Sequence, residues 1–164
     1  MTGVAQPTIF TIGHSRHPID RFVALLQAQR VEVLVDVRSQ PTSRWAPQFR
    51  RSDLARALEQ AGIDYAFLGA ELGGRPEGDW YDADGKLDAA RRSRAPEFEA
   101  GIAELVAIAR ERTAAILCAE EDPTHCHRRV LVTPALAREG FAVVHLRGDG
   151  RVQPEDPAQR SMFP

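Results

Sequence analysis

Residues 118 to 129, CAEEDPTHCHRR, hold both cysteines of the chain and two of its five histidines. Three chemistries suit such a stretch. Thiols and imidazoles ligate soft metal ions. A thiolate attacks as a nucleophile where a base or positive charge lowers its pKa. Two thiols pair reversibly where geometry permits. The spacing C-x7-C-H matches no standard zinc pattern, so spacing alone does not choose among them.

The elements that position these side chains show in the hydropathy. TIFTIG (8–13), VEVLVDV (31–37), IDYAFLG (63–69), TAAILCA (113–119) and FAVVHL (141–146) read as strands. Pro18 starts a helix with Phe22, Val23, Leu25 and Leu26 inward. Ser52 caps a second helix through Gln60, stopped by Gly62, with Leu54, Ala57, Leu58 and Ala61 inward. Pro96 opens a third, whose stripe is Phe98, Ile102, Leu105, Val106 and Ile108. Thr124 reads as the cap of a fourth running to Glu139 and stopped by Gly140. Residues 69–95 form one long connection, of a length that is usually functional or mobile. The tail from Arg147 is polar and proline-rich and reads as loosely ordered.

Strands and helices alternate, and the strands are apolar on both faces. This predicts a three-layer, Rossmann-like α/β fold: a mostly parallel five-stranded sheet with helices on both faces. The preferred strand order is 3-2-1-4-5, with 2-1-3-4-5 as the main alternative. Ligands of such sheets bind beyond the carboxyl ends of the strands, at the topological switch point. The order 3-2-1-4-5 would put that point between the first and fourth strands, flanked by His14 and Cys118.

Polar residues follow every strand. His14, Ser15 and Arg16 follow the first; Asp36, Arg38 and Ser43 follow the second; Glu71, Gly73, Gly74 and Arg75 the third. Glu120, Cys126, His127 and Arg128 follow Cys118, and the fifth strand ends near His145. A helix starting at Thr124 would hold His125, Cys126 and His127 in its first turn. There free N–H groups and the helix dipole lower a thiol pKa and bind anions. Cys126 is thus the candidate nucleophile. Cys118, inside an apolar strand, reads first as a small buried hydrophobe, and His145 as a structural histidine. Arg16, Arg44, Arg50 and Arg51 look like solvated basic surface. Trp45, Phe49, Trp80 and Tyr81 either cover a pocket mouth or form a minor core under a loop.

With 164 residues the chain suits a single domain, 1–164, with its core over about 8–146. A compact fold of that size buries roughly 70% of the unfolded surface, so folding needs no disulfide or metal. A formal net charge of −2 argues against a bulk nucleic-acid coat. Lys86 is the one lysine among 21 basic side chains, a bias that codon usage explains. No secretory signal and no membrane span are legible, which predicts a cytoplasmic protein with reduced cysteines.

TIGHS (11–15), VDVRSQPTSRWAPQF (35–49), LGGRP (72–76) and CAEEDPTHCHRRVL (118–131) together resemble the bacterial domain-of-unknown-function family numbered 488. Four ordered motifs over residues 8 to about 146 make the resemblance specific. It implies a single-domain α/β fold and a shared pocket. The family's characteristic residues map onto His14, Ser15, Asp36, Arg38, Pro41, Ser43, Gly73, Gly74, Cys118, Glu120, Cys126, His127 and Arg128. It implies no activity.

Three functions follow from these residues. The first is an enzyme acting on a phosphate-bearing or otherwise anionic ligand, such as a nucleotide or a nucleic-acid end. Its catalytic set would be His14, Cys126, His127, Asp36 and Glu120, and its binding set Ser15, Arg38, Ser43, Gly73, Gly74, Arg75 and Arg128. No P-loop, GxSxG elbow or dinucleotide fingerprint narrows the reaction. The second is a metal or cofactor site built from Cys118, Cys126, His127 and His14. The third is a non-catalytic redox module pairing Cys118 with Cys126. Neither a cofactor nor an oligomeric state is specified.

Overall fold

The structure, a computed structural model, describes residues 5–127 and 131–155. Its strands are β1 (Thr8–Gly13), β2 (Val33–Asp36), β3 (Asp64–Phe67), β4 (Ala114–Cys118), β5 (Ala142–Leu146) and β6 (Val152–Pro154). The helices are α1 (Ile19–Ala28), α2 (Arg51–Gln60), α3 (Gly69–Leu72), α4 (Ala89–Arg92), α5 (Pro96–Glu111) and α6 (Thr133–Arg138). The α/β class, the mostly parallel sheet and the helices on both faces agree with the sequence.

The strand order is β3-β2-β4-β1-β5-β6, which corrects both expected orders. β4 runs between β2 and β1, in parallel register with each: Asp36 lies beside Leu117, and Gly13 beside Cys118. Hydropathy finds buried parallel strands but not their neighbours, because every central strand is apolar on both faces. The pairing of β1 with β4 holds, so His14 and Cys118 do stand side by side.

A sixth strand was not expected. β6 pairs antiparallel with β5, Val144 opposite Pro154, so the described part of the tail extends the sheet. Its proline hid it, and an edge position tolerates the missing N–H. The long 69–95 connection contains α3, α4 and a bridge between Tyr81 and Leu87.

The sheet separates two cores. On one side Phe22 and Leu26 of α1 and Leu54 and Leu58 of α2 pack on Ile12, Leu34, Ala115 and Leu117. On the other, Phe98 and Leu105 of α5 and Leu136 of α6 pack on Val35, Ile116 and Val143. Alternation along β4 assigns Leu117 to the first side and Cys118 to the second.

Beyond the strand ends the backbone ladder continues. His14 N–H donates to the Cys118 carbonyl and Ser15 N–H to the Ala119 carbonyl. A Cβ on Gly13 would lie 1.8 Å from the Glu120 carbonyl oxygen, so only glycine lets the loop after β4 cross the end of β1. Backbone pressed on backbone yields little. Gly13→Ala is therefore expected to destabilise the fold by about 1–3 kcal/mol, as overpacking does. Chemical denaturation of the two proteins measures it.

Candidate functional site

On the α1/α2 side, Asp36 closes β2 without any exposed surface. Burying a carboxylate is costly unless it is paired and hydrogen-bonded. Arg38 supplies the pair: Nε donates to Asp36 Oδ1 at 2.9 Å, Nη2 to Oδ2 at 2.8 Å, and the backbone N–H to Oδ1 at 3.1 Å. Tyr65 Oη donates to Oδ2 at 2.6 Å. Burial, and then this bond to Asp36, push the Tyr65 phenol above its ordinary range. Arg38 Nη1 donates to the Phe49 carbonyl at 2.8 Å. Each terminal nitrogen of Arg38 keeps a second hydrogen.

Phe49 in turn orders His14. Their rings stack, with centroids 4.6 Å apart and an interplanar angle of 18°. His14 Nδ1 lies 2.7 Å from the Ser15 carbonyl oxygen, which can only accept, so Nδ1 carries the hydrogen and Nε2 the lone pair. Burial lowers the pKa of His14 to about 4, with a smaller push from Arg38, against the Ser15 bond that raises it. The ring is neutral at ordinary pH. Ser15 has a left-handed backbone (φ 44°) and an exposed side chain, and such strain in a non-glycine residue concentrates at functional sites.

On the α5/α6 side, Cys118, Cys126 and His127 come together. Their two sulfurs and one imidazole nitrogen lie within 4.8 Å of one another. Cys126 Sγ is 3.6 Å from His127 Nδ1. Both thiols are buried and neither is in a disulfide. His14, named with them as a fourth metal ligand, does not join this triangle among the described residues; it belongs to the other face. The local backbone also departs from expectation. Asp122 accepts from Thr124 N–H and caps a 3₁₀ turn, Pro123–His125. Cys126 is extended and His127 is the first helical residue. Thr124 therefore caps no helix, and Cys126 does not sit in a first turn.

The expected binding residues fall into two groups. Gly73 and Gly74 are packing glycines. A Cβ on Gly73 would sit 2.1 Å from Ser39 Oγ, and one on Gly74 would sit 2.7 Å from Cβ and Cγ of His127. Ser39 Oγ accepts from Arg75 N–H at 2.8 Å, tying this turn to the loop after β2. Arg75 itself is exposed, as is Glu120. Ser43 Oγ accepts from Ala46 N–H at 3.0 Å, bracing its own loop. Arg128 lies outside the described residues.

Phe49, expected at a pocket mouth or in a minor core, is buried in the core with α1 and α2. Tyr65 and Ser39 were not singled out by their chemistry, and no local signal marks them. Their roles come from distant partners. Glu121 is another: Arg147 grips it through two bonds of 2.8 Å and Gly148 N–H adds a third. Arg147, and then Gly148, hold its carboxyl at about 2. His145 is buried between Thr11 Oγ1, at 2.6 Å from Nδ1, and the Glu155 carboxylate on Nε2. Trp45 is 75% exposed beneath Arg16, while Trp80 packs on the core and is met by Arg91 and Arg92. An open groove lined by Val33, Asp64, Ala66, Ala107, Ile108 and Glu111 lies at the opposite end of β2 and β3.

Fold and site define an α/β protein with a thiol–imidazole cluster and a buried Asp–Arg pair at the carboxyl edge of its sheet. The chain belongs to the family described as Domain of unknown function DUF488, whose model matches residues 18–134. That span holds three of the four motifs and begins after TIGHS. No curated protein and no solved structure matches the chain. No helix among the described residues is long and apolar enough to cross a membrane.

Two outcomes test these interactions. Asp36→Ala strands a buried guanidinium and should cost about 3–5 kcal/mol, whereas Asp36→Ala with Arg38→Met should recover much of it. Urea unfolding of both variants gives the comparison. The unfolded chain protonates His14 near pH 6.5, the folded protein only near pH 4. The stability held by neutral His14 is thus complete above pH 6.5 and lost as pH falls toward 4. The stability difference between wild type and His14→Gln should change across that window and stay level above it.

Proposed function

We propose that this protein is a cytoplasmic enzyme acting on a small ligand with a phosphate-like anionic group, such as a nucleotide. The ligand would lie across the carboxyl ends of β1, β2 and β4. One observation carries this: β4 brings two chemically different half-sites to the same edge. His14, with its Nε2 lone pair, stands on one face; the Cys118–Cys126–His127 cluster stands on the other. A crevice between strands whose connections leave toward opposite faces is where open α/β sheets bind ligands. His14 is the general base, and the thiol–imidazole cluster is the reaction centre. Asp36 holds Arg38, whose two uncommitted hydrogens suit an oxyanion. Exposed Arg75 reaches from the glycine turn, with Ser15, Ser43 and Arg128 completing the binding set and Glu120 at the rim.

Calorimetry with a panel of nucleotides and sugar phosphates tests this. At least one should bind, and Arg75→Ala should weaken it roughly 10–100-fold, the worth of a charge-assisted hydrogen bond. Binding should also slow alkylation of Cys126 by iodoacetamide. If no phosphorylated compound binds, or binding ignores Arg75 and leaves alkylation unchanged, the anionic-ligand function falls.

A further inference from the structure

The Cys118–Cys126–His127 triangle carries a more specific chemistry. We propose that it is a site for one soft divalent cation of the zinc class, held by two thiolates and one neutral imidazole. This rests on the cluster being the reaction centre and names what it holds.

Four observations support it. The donors are two sulfurs and a nitrogen within 4.8 Å of one another; Cys126 Sγ and His127 Nδ1, at 3.6 Å, already match an edge of a tetrahedron with ~2.3 Å metal–sulfur and ~2.0 Å metal–nitrogen bonds, and the full set needs to contract by at most about 1 Å. No carboxylate belongs to the set, which selects zinc-like ions over magnesium or calcium. His127 Nε2, the ring nitrogen other than the one 3.6 Å from Cys126 Sγ, is buried without a hydrogen-bond partner. An unmatched buried polar atom is uncommon and marks either strain or a missing ligand. Gly74 has no left-handed backbone to require glycine, yet a Cβ there would lie 2.7 Å from the His127 ring. Its smallness serves the placement of the imidazole.

Charge accounts for the burial. Cys118 is 0% and Cys126 8% exposed. Two bare thiolates there would be heavily penalised. On binding, each thiol loses its proton, two metal–sulfur bonds and one metal–nitrogen bond form, and two protons leave to solvent. No electrons move, and the buried assembly is neutral. Three protein ligands leave a position for water or substrate, the pattern of catalytic rather than structural zinc sites. That position would meet the oxygen of an anionic ligand.

The test is an anaerobic titration of reduced, chelator-treated full-length protein with Co(II). Saturation is expected at about one equivalent, with a thiolate-to-cobalt charge-transfer band and about two protons released per ion. Zn(II) should abolish the band. Cys118→Ser, Cys126→Ser and His127→Gln should each weaken Zn(II) binding more than roughly 10-fold, and Gly74→Ala should weaken it without removing a donor. The wild-type spectrum and proton count decide the matter even if a variant fails to fold. Absence of the band and of proton release overturns the site, as does stoichiometric binding indifferent to both serine variants. Co(II) failure with intact, Arg75-dependent nucleotide binding sinks the metal alone. Metal binding without any anionic ligand sinks only the proposed substrate class.

Discussion

A carboxylate with no access to water sits at the end of β2, and much of one half of the candidate site is arranged around it. Asp36 binds Arg38 through two side-chain bonds and one backbone bond. Arg38, held rigid, reaches the Phe49 carbonyl. Phe49 packs edge-on against Phe22 of α1 and face-on against His14. A charge pair is thereby converted, through one aromatic ring, into the orientation of an imidazole on a neighbouring loop. Removing either ion leaves the other uncompensated, so the pair is a constraint on the fold before it is anything else.

The other half-site obeys a different logic. Side chains along a strand alternate between faces, so Cys118 points away from Leu117 and toward the core under α5 and α6. There it meets Cys126 and His127. The two halves share an edge and no hydrophobic core. His14 and Cys118 are adjacent along the backbone ladder and still serve opposite sides of the sheet.

Much of this was legible in the residues. The five parallel strands, the helix openings at Pro18 and Pro96, and the polar strand ends all follow from hydropathy and local chemistry. The strand order was not, because Val33–Asp36 and Ala114–Cys118 are equally apolar and neither names its neighbour. The Thr124 helix start failed because Asp122, two residues earlier, accepts from both the N–H and the hydroxyl of Thr124 and caps a separate turn. The glycines of LGGRP stand in the expected binding set. In space they are clearances for Ser39 and His127. Phe49, Tyr65 and Arg147 act only through partners far along the chain, which no local pattern records.

The loop after β4 is tethered at two points. Glu120 presses its carbonyl onto Gly13 at the sheet centre, and Glu121 is clasped by Arg147 just beyond β5. Arg147 also bonds Gln153 of β6, and its Gly148 neighbour packs on His17. The outermost strand thus acts as a strap over the segment that leads to Cys126. The carboxyl-terminal hairpin thereby joins the frame that holds the loop running from β4 to Cys126.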